Sequence, residues 1–195
     1  MYDRLFHYIE QYSNSTLSES EKEVLTNTWK PQTLKKKAFF LREGELCNFA
    51  GFIVKGAMRQ YTVDDNGIEH VSELAIENWW IVDRKSYFER TPATTYIEAW
   101  ENTEMLVLKR SNLDIILEIP SIKEMFWQMN QRNQIASQQR LNDIVSLPAS
   151  KRYENLQKKY PAIIERFPQH IIASYLGITK ETLSRVRNRI AGKNP

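Results

Sequence analysis

Apolar positions near the start of the chain recur at helical spacing: Leu5, Phe6, Ile9 and Tyr12 share one face. The pattern restarts at Leu17-Ser18-Glu19-Ser20-Glu21 and carries Val24, Leu25 and Trp29. Ser18 and Glu21 have the spacing of a capping box, in which each side chain satisfies a backbone N–H left open at a helix start. From Pro31 the period changes. Segments 49–56, 57–63, 68–76, 95–100 and 104–109 read as short strands, with a turn at Leu41-Arg-Glu-Gly44-Glu45. Asp64-Asp65-Asn66-Gly67 predicts a hairpin, because Asn-Gly tolerates the positive φ of a tight turn. Short strands at even spacing predict a small barrel or sandwich.

Helical spacing returns over 122–147, a run without Gly or Pro. Ile122, Met125, Phe126, Met129, Ala136, Ile144 and Leu147 form its stripe, interrupted by Arg132, Asn133 and Arg140. At 1.5 Å per residue this helix spans about 40 Å, longer than a domain of this size covers alone. Part of it packs on its own barrel. The rest predicts a dimer seam, with the polar positions setting register. Pro148 closes the run and opens a last module.

That module holds the sharpest motif, Gln169-His-Ile-Ile-Ala-Ser-Tyr-Leu-Gly-Ile-Thr-Lys-Glu-Thr-Leu-Ser-Arg-Val-Arg-Asn188. Ala173 lets two helices cross closely, and Gly177 supplies the left-handed residue that stops the first. Thr179 caps the second helix, whose Leu183 and Val186 face back toward Ile172 and Leu176. This is the pattern of a helix-turn-helix. A plain helical hairpin explains the apolar positions equally well. It does not explain the outward Lys180, Glu181, Ser184, Arg185 and Asn188 near the start of helix two.

Charge sharpens the division. The net charge of +3 is uneven: from Pro148 onward ten lysines and arginines face three glutamates, an excess of seven, which leaves the preceding segment at −4. A basic tail on an acidic body points to a polyanionic partner for the tail. Cys47 is the single cysteine, which excludes an internal disulfide and any four-cysteine cluster. No stretch approaches the length of a membrane span, and the N-terminus lacks a secretory pattern, so a soluble, cytoplasmic protein is expected.

With these segments in place, the chain resembles the cyclic-AMP receptor protein and fumarate–nitrate regulator (CRP/FNR) family over nearly its whole length. The resemblance rests on Arg42-Glu43-Gly44-Glu45, Phe52-Ile-Val-Lys-Gly56-Ala-Met-Arg59 and Ile178-Thr-Lys-Glu-Thr-Leu-Ser-Arg185. It implies an α+β fold: an N-terminal double-stranded β-helix (a jelly-roll-like β-roll) with flanking helices over 1–120, a long dimerisation helix over 121–147, and a C-terminal winged-helix-type helix-turn-helix over 148–195. It also implies a homodimeric transcription regulator that reads a two-fold symmetric operator. RNA polymerase and a small-molecule effector are further candidate partners.

Carried over by position, Lys180, Glu181 and Arg185 match base-reading residues; Thr182 and Ser184 are read as phosphate contacts. The chemistry agrees: Arg pairs bidentately with guanine, and Glu accepts from cytosine N4. His170 is read as a phosphate contact, and Arg187, Arg189 and Lys193 as nearby charge. In the β-roll the family's Gly-Glu and Arg-Ser pairs have no counterpart. No Gly-Glu follows Trp80, and Ala93-Thr94 stands in place of Arg-Ser. Without a cation fixed there, burial of a phosphate is costly, so no cyclic-AMP binding and no cofactor are expected. Arg59, Trp80, Arg84, Thr94 and Thr95 are the candidate lining of a pocket for some other effector.

No catalytic or metal-ligating set is expected. A metal-dependent cupin-type enzyme needs converging His and Glu ligands, and the β-rich segment offers only His70. His7, His70 and His170 leave haem open, although isolated histidines are read as surface or packing residues. The rival binding reading is a ligand-binding or protein-interaction module whose helix-turn-helix no longer binds DNA.

Overall fold

Two short helices open the chain, α1 (Tyr2–Ser13) and α2 (Glu19–Thr28). The capping box at α2 is formed: the Glu21 N–H donates to Ser18 Oγ, and the Ser18 N–H donates to Glu21 Oε2 at 2.7 Å. The helix ends one residue earlier than its apolar spacing suggests. Trp29 is already extended, at ψ 135, and begins β1 (Trp29–Leu34). Pro31 accounts for this, since it disfavours helical geometry in the residue before it and cannot donate within a helix. The computed structural model describes residues 1–190 and 192 of the chain.

The strands that follow are β2 (Phe39–Leu41), β3 (Phe49–Lys55), β4 (Met58–Val63), β5 (Glu69–Ala75), β6 (Trp80–Ile81), β7 (Tyr96–Ala99) and β8 (Thr103–Lys109). They form two four-stranded sheets, ordered β1-β8-β3-β6 and β2-β7-β4-β5. The pairings of β1 and β3 with β8 are antiparallel, with Trp29 and Ala50 both opposite Leu108. This is the expected β-roll. Pro31 is tolerated because β1 lies at the edge of its sheet. A helix, α3 (Arg84–Glu89), lies between β6 and β7, capped by Asp83.

The first core lies within this roll. Phe52, Ile53, Met105, Leu106 and Ile97 are fully buried, together with Leu5, Ile9, Leu25 and Trp29 from the N-terminal segment. Trp80 sits in an aromatic cluster, its ring centroid 5.2 Å from Trp29, 5.4 Å from Phe52 and 5.7 Å from Phe126. Edge and tilted contacts of this kind add about 0.5–1.5 kcal/mol per pair beyond area burial.

The β4–β5 turn differs in detail from the predicted two-residue form. Gly67 has φ +77, while Asn66 keeps a negative φ. Asp64 organises the loop, its Oδ1 accepting from the N–H groups of Asn66 and Ile68 and its Oδ2 pairing with the His70 ring. A longer loop built on an Asp side chain needs only one left-handed residue.

After a 3₁₀ turn (Arg110–Asn112) and α4 (Leu113–Ile116), the long helix α5 runs from Pro120 to Ser146. Its apolar residues divide between two faces. Ile122, Met125 and Met129 join the roll core, whereas Trp127, Ile135, Leu141, Ile144 and Val145 are exposed. Four helices follow: α6 (Ala149–Lys159), α7 (Pro161–Arg166), α8 (Gln169–Tyr175) and α9 (Lys180–Ile190). No strand occurs among the described residues after β8, so the expected wing has no strands there. Where a hairpin could follow α6, Pro161 takes the first helical position and starts α7.

By compactness the chain divides into two units. One comprises 1–60 with 75–133, the other 61–74 with 134–195. The outer part of the β4–β5 hairpin, 61–74, thus belongs to the same unit as α6 to α9.

Candidate nucleic-acid interface

Local sequence builds the helix-turn-helix. Ile171, Ile172, Ala173 and Leu176 from the α8 segment and Leu183 from α9 are buried, along with Tyr153 and Leu156 of α6 and Ile163 of α7. Gly177 takes φ +65, and the Gly177 and Ile178 N–H groups donate to the Ser174 and Ala173 carbonyls at 3.0 Å each. That pair of bonds closes the first helix. Arg152 Nη1 donates to the Leu176 carbonyl at 2.6 Å, which places a cation at the same helix end.

Thr179 begins the second helix. Its Oγ1 accepts from the Thr182 N–H at 3.2 Å, and its carbonyl accepts from the Leu183 N–H at 3.0 Å. Lys180, Glu181, Ser184, Arg185, Arg187 and Asn188 are all exposed. Glu181, fully exposed, is held below the usual carboxylate range by its own backbone N–H and by the Thr179 hydroxyl. It therefore stays ionised near neutral pH and acts only as an acceptor. Arg185 Nη2 donates to Thr182 Oγ1 at 3.3 Å, which leaves the rest of its fork open beside Glu181.

The predicted set is thus gathered on one short helix, with two qualifications. Thr182 is half-buried, and its Oγ1 accepts from the Thr179 hydroxyl and from Arg185 Nη2. His170 is exposed on α8, one residue from its start. Lys193 lies outside the described residues. Sequence reasoning missed a hollow of about 460 Å³ along the flank of α9, lined by Tyr153, Gln157, Gln169, Ser184, Arg187 and Asn188. Its polar residues come from three helices, so only packing brings them together.

The roll interior tells a different story. Arg59 is buried and donates through Nε and Nη2 to Glu98 Oε2, at 2.9 and 2.6 Å. Both side chains are less than a tenth exposed. Gln60 donates to Thr95 Oγ1 at 2.9 Å, and that hydroxyl donates to Asp83 Oδ2 at 2.7 Å. Asp83 Oδ1 in turn caps α3 through the Ser86 N–H. Of the five residues proposed to line an effector pocket, Arg59 and Thr95 are therefore tied into protein partners. Trp80 packs in the aromatic cluster, and Arg84 and Thr94 are exposed. Glu98, Gln60 and Asp83 were missed. The available signal was a carboxylate at Glu98 inside the apolar strand Ile97-Glu98-Ala99, since a charge buried there needs a partner.

Among the described residues no three His, Cys, Asp or Glu side chains come together as a metal site. No helix among them is long and apolar enough to cross a membrane.

No family model and no curated protein matches the sequence. Solved structures do. FixK2 from Bradyrhizobium japonicum superposes with a TM-score of 0.69 at 18% identity, covering 85% of each chain. The fold is that of the CRP/FNR regulators. The c-di-GMP responsive global regulator CLP of Xanthomonas campestris gives a TM-score of 0.68 at 10% identity, over 90% of this chain and 92% of its own. A mutant of CooA from Carboxydothermus hydrogenoformans gives 0.63 at 19% identity, over 94% and 83%. The CRP/FNR fold thus extends through the β-roll, the long helix and the C-terminal helices. At these identities the likeness establishes architecture, and function has to come from the side chains.

Proposed function

We propose that this CRP/FNR-fold chain is a transcription regulator that binds duplex DNA through α9. One observation carries the reading: α9 is capped at Thr179 and presents Lys180, Glu181, Ser184 and Arg185 together, all exposed, from its first turns. A helix entering the major groove reads bases with its N-terminal residues. Arg185 supplies the bidentate donor for guanine and Glu181 the acceptor for cytosine N4. Lys180 and Ser184 flank them, and His170, Thr182 and Arg187 border the phosphates. Gln169 joins this set from the hollow beside α9.

The functional species is a homodimer paired along α5. The exposed Trp127, Leu141, Ile144 and Val145 support this, since monomers rarely leave so many large apolar side chains on one helix in water. Such a dimer presents two reading helices about 34 Å apart to successive major grooves of a two-fold symmetric operator. The protein is a regulator and not an enzyme. RNA polymerase is a further partner by analogy with the regulators that share the fold.

The β-roll takes no cyclic nucleotide. Arg59, the buried cation among the candidate pocket residues, is already paired with Glu98 inside the roll, so it does not supply an uncommitted charge for a phosphate. A different small molecule is the effector, if the roll takes one at all.

Selection of binding sites from random duplexes, followed by shift assays at fixed salt, tests the central claim. The expected result is enrichment of an inverted repeat. Failure to enrich any sequence, with binding no stronger than to random duplex, refutes it and favours an interaction module.

A further inference from the structure

β5 lies at the end of its sheet, so its outer edge offers backbone groups with no strand to pair them. Ser174, on the first helix of the helix-turn-helix, satisfies two of them. Its Oγ accepts from the Val71 N–H and donates to the Glu69 carbonyl, each at 2.9 Å. One hydroxyl thus does there what a neighbouring strand would do.

Arg140 of α5 completes the junction. Its Nη1 donates to the Ser72 carbonyl, and its Nη2 reaches both Val71 O at 3.4 Å and Tyr175 O at 2.9 Å. Its Cζ lies 3.9 Å from the centre of the Tyr175 ring. A single guanidinium therefore ties the hairpin edge to the last turn of α8, where a cation is also favoured by the exposed carbonyls of a helix end. Burial raises the Tyr175 phenol, so the ring stays neutral beneath the cation. Residues 61–74 of the hairpin, α5 from Gln134 onward and α8 all fall in one compact unit.

We propose that Ser174 and Arg140 are positioning residues for DNA reading: they latch α8, and α9 with it, to the edge of the β4–β5 hairpin. The proposal rests on the DNA-reading function above. Neither residue touches DNA in this scheme. Lys180, Glu181, Ser184 and Arg185 remain exposed while the latch is closed, so it holds the reading head without covering it.

The test uses the full-length protein and the duplex that wild type selects from random sequence. Ser174→Ala and Arg140→Gln are compared with Thr26→Ala, which removes a surface hydroxyl from α2, far from the reading helix in sequence. Ser174→Ala substitutes the best helix former, so α8 is retained. Amide exchange at Val71, measured without DNA, should quicken about fivefold or more in Ser174→Ala, the effect of losing one hydrogen bond. Operator affinity should fall about fivefold or more in both latch variants and stay unchanged in Thr26→Ala. The proposal is overturned by unchanged Val71 exchange in Ser174→Ala, or by wild-type operator affinity in both latch variants. A wild-type protein that selects no duplex sinks the DNA-reading function itself, a result distinct from either.

Discussion

Thr179 and Gly177 show how far single residues reach. Gly177 holds φ +65, which side chains with a Cβ adopt only with strain, and the Thr179 hydroxyl accepts from the Thr182 N–H in the first turn of α9. Thr179→Ala should lower stability by about 1 kcal/mol, read by urea unfolding, with a larger loss of operator binding if α9 frays at its reading end. Arg185→Ala should cost about 1–3 kcal/mol of discrimination and relax the preference at one base pair of each half-site, read by competitive shift assays. Unchanged affinity together with unchanged preference would remove Arg185 from the interface. The Thr179 cap and the exposure of Arg185 were legible in the sequence because the residues concerned are neighbours in the chain. The Arg59–Glu98 pair was not, since nothing in one-dimensional spacing says that β4 and β7 are adjacent strands. Glu98→Gln removes the carboxylate that receives the Arg59 Nε and Nη2 bonds and should destabilise the roll by about 3–5 kcal/mol, measured by thermal or denaturant unfolding.

At the scale of elements, α5 shows why an apolar stripe is ambiguous. The sequence places Ile122, Met125, Phe126, Met129, Ala136, Ile144 and Leu147 on one notional stripe and treats Arg132, Asn133 and Arg140 as interruptions. In the structure the first part packs into the roll, while Ile144 of the stripe is exposed together with Trp127, Leu141 and Val145, which lie outside the stripe. Two of the interruptions have partners within the chain. Arg132 lies 4.5 Å from the Tyr12 ring centre, and Arg140 bonds the β5 edge. Register in a dimer is then left to the exposed residues. Leu141→Glu combined with Val145→Glu should convert a dimer to monomer in sedimentation velocity while the circular dichroism spectrum is kept. Dimers that persist in this variant would place the seam elsewhere.

For the whole molecule, the excess of seven positive charges from Pro148 onward predicts binding that weakens steeply with salt. A dimer neutralising roughly six phosphates should show a log–log slope near −5, at about −0.9 per phosphate. A slope near zero would argue against phosphate contacts altogether. The sequence by itself determined the order of helix, β-roll, long helix and helix-turn-helix, and which polar side chains α9 exposes. These depend on short-range periodicity, caps and turn chemistry, which are written in consecutive residues. Tertiary structure alone decided that Arg59 is matched by Glu98, that α5 has two apolar faces, and that the β5 edge is held by Ser174 and Arg140. Each of those joins residues between 39 and 105 positions apart or depends on which side of a helix meets a neighbour. Contacts across such distances follow from chain topology, and no local preference encodes them.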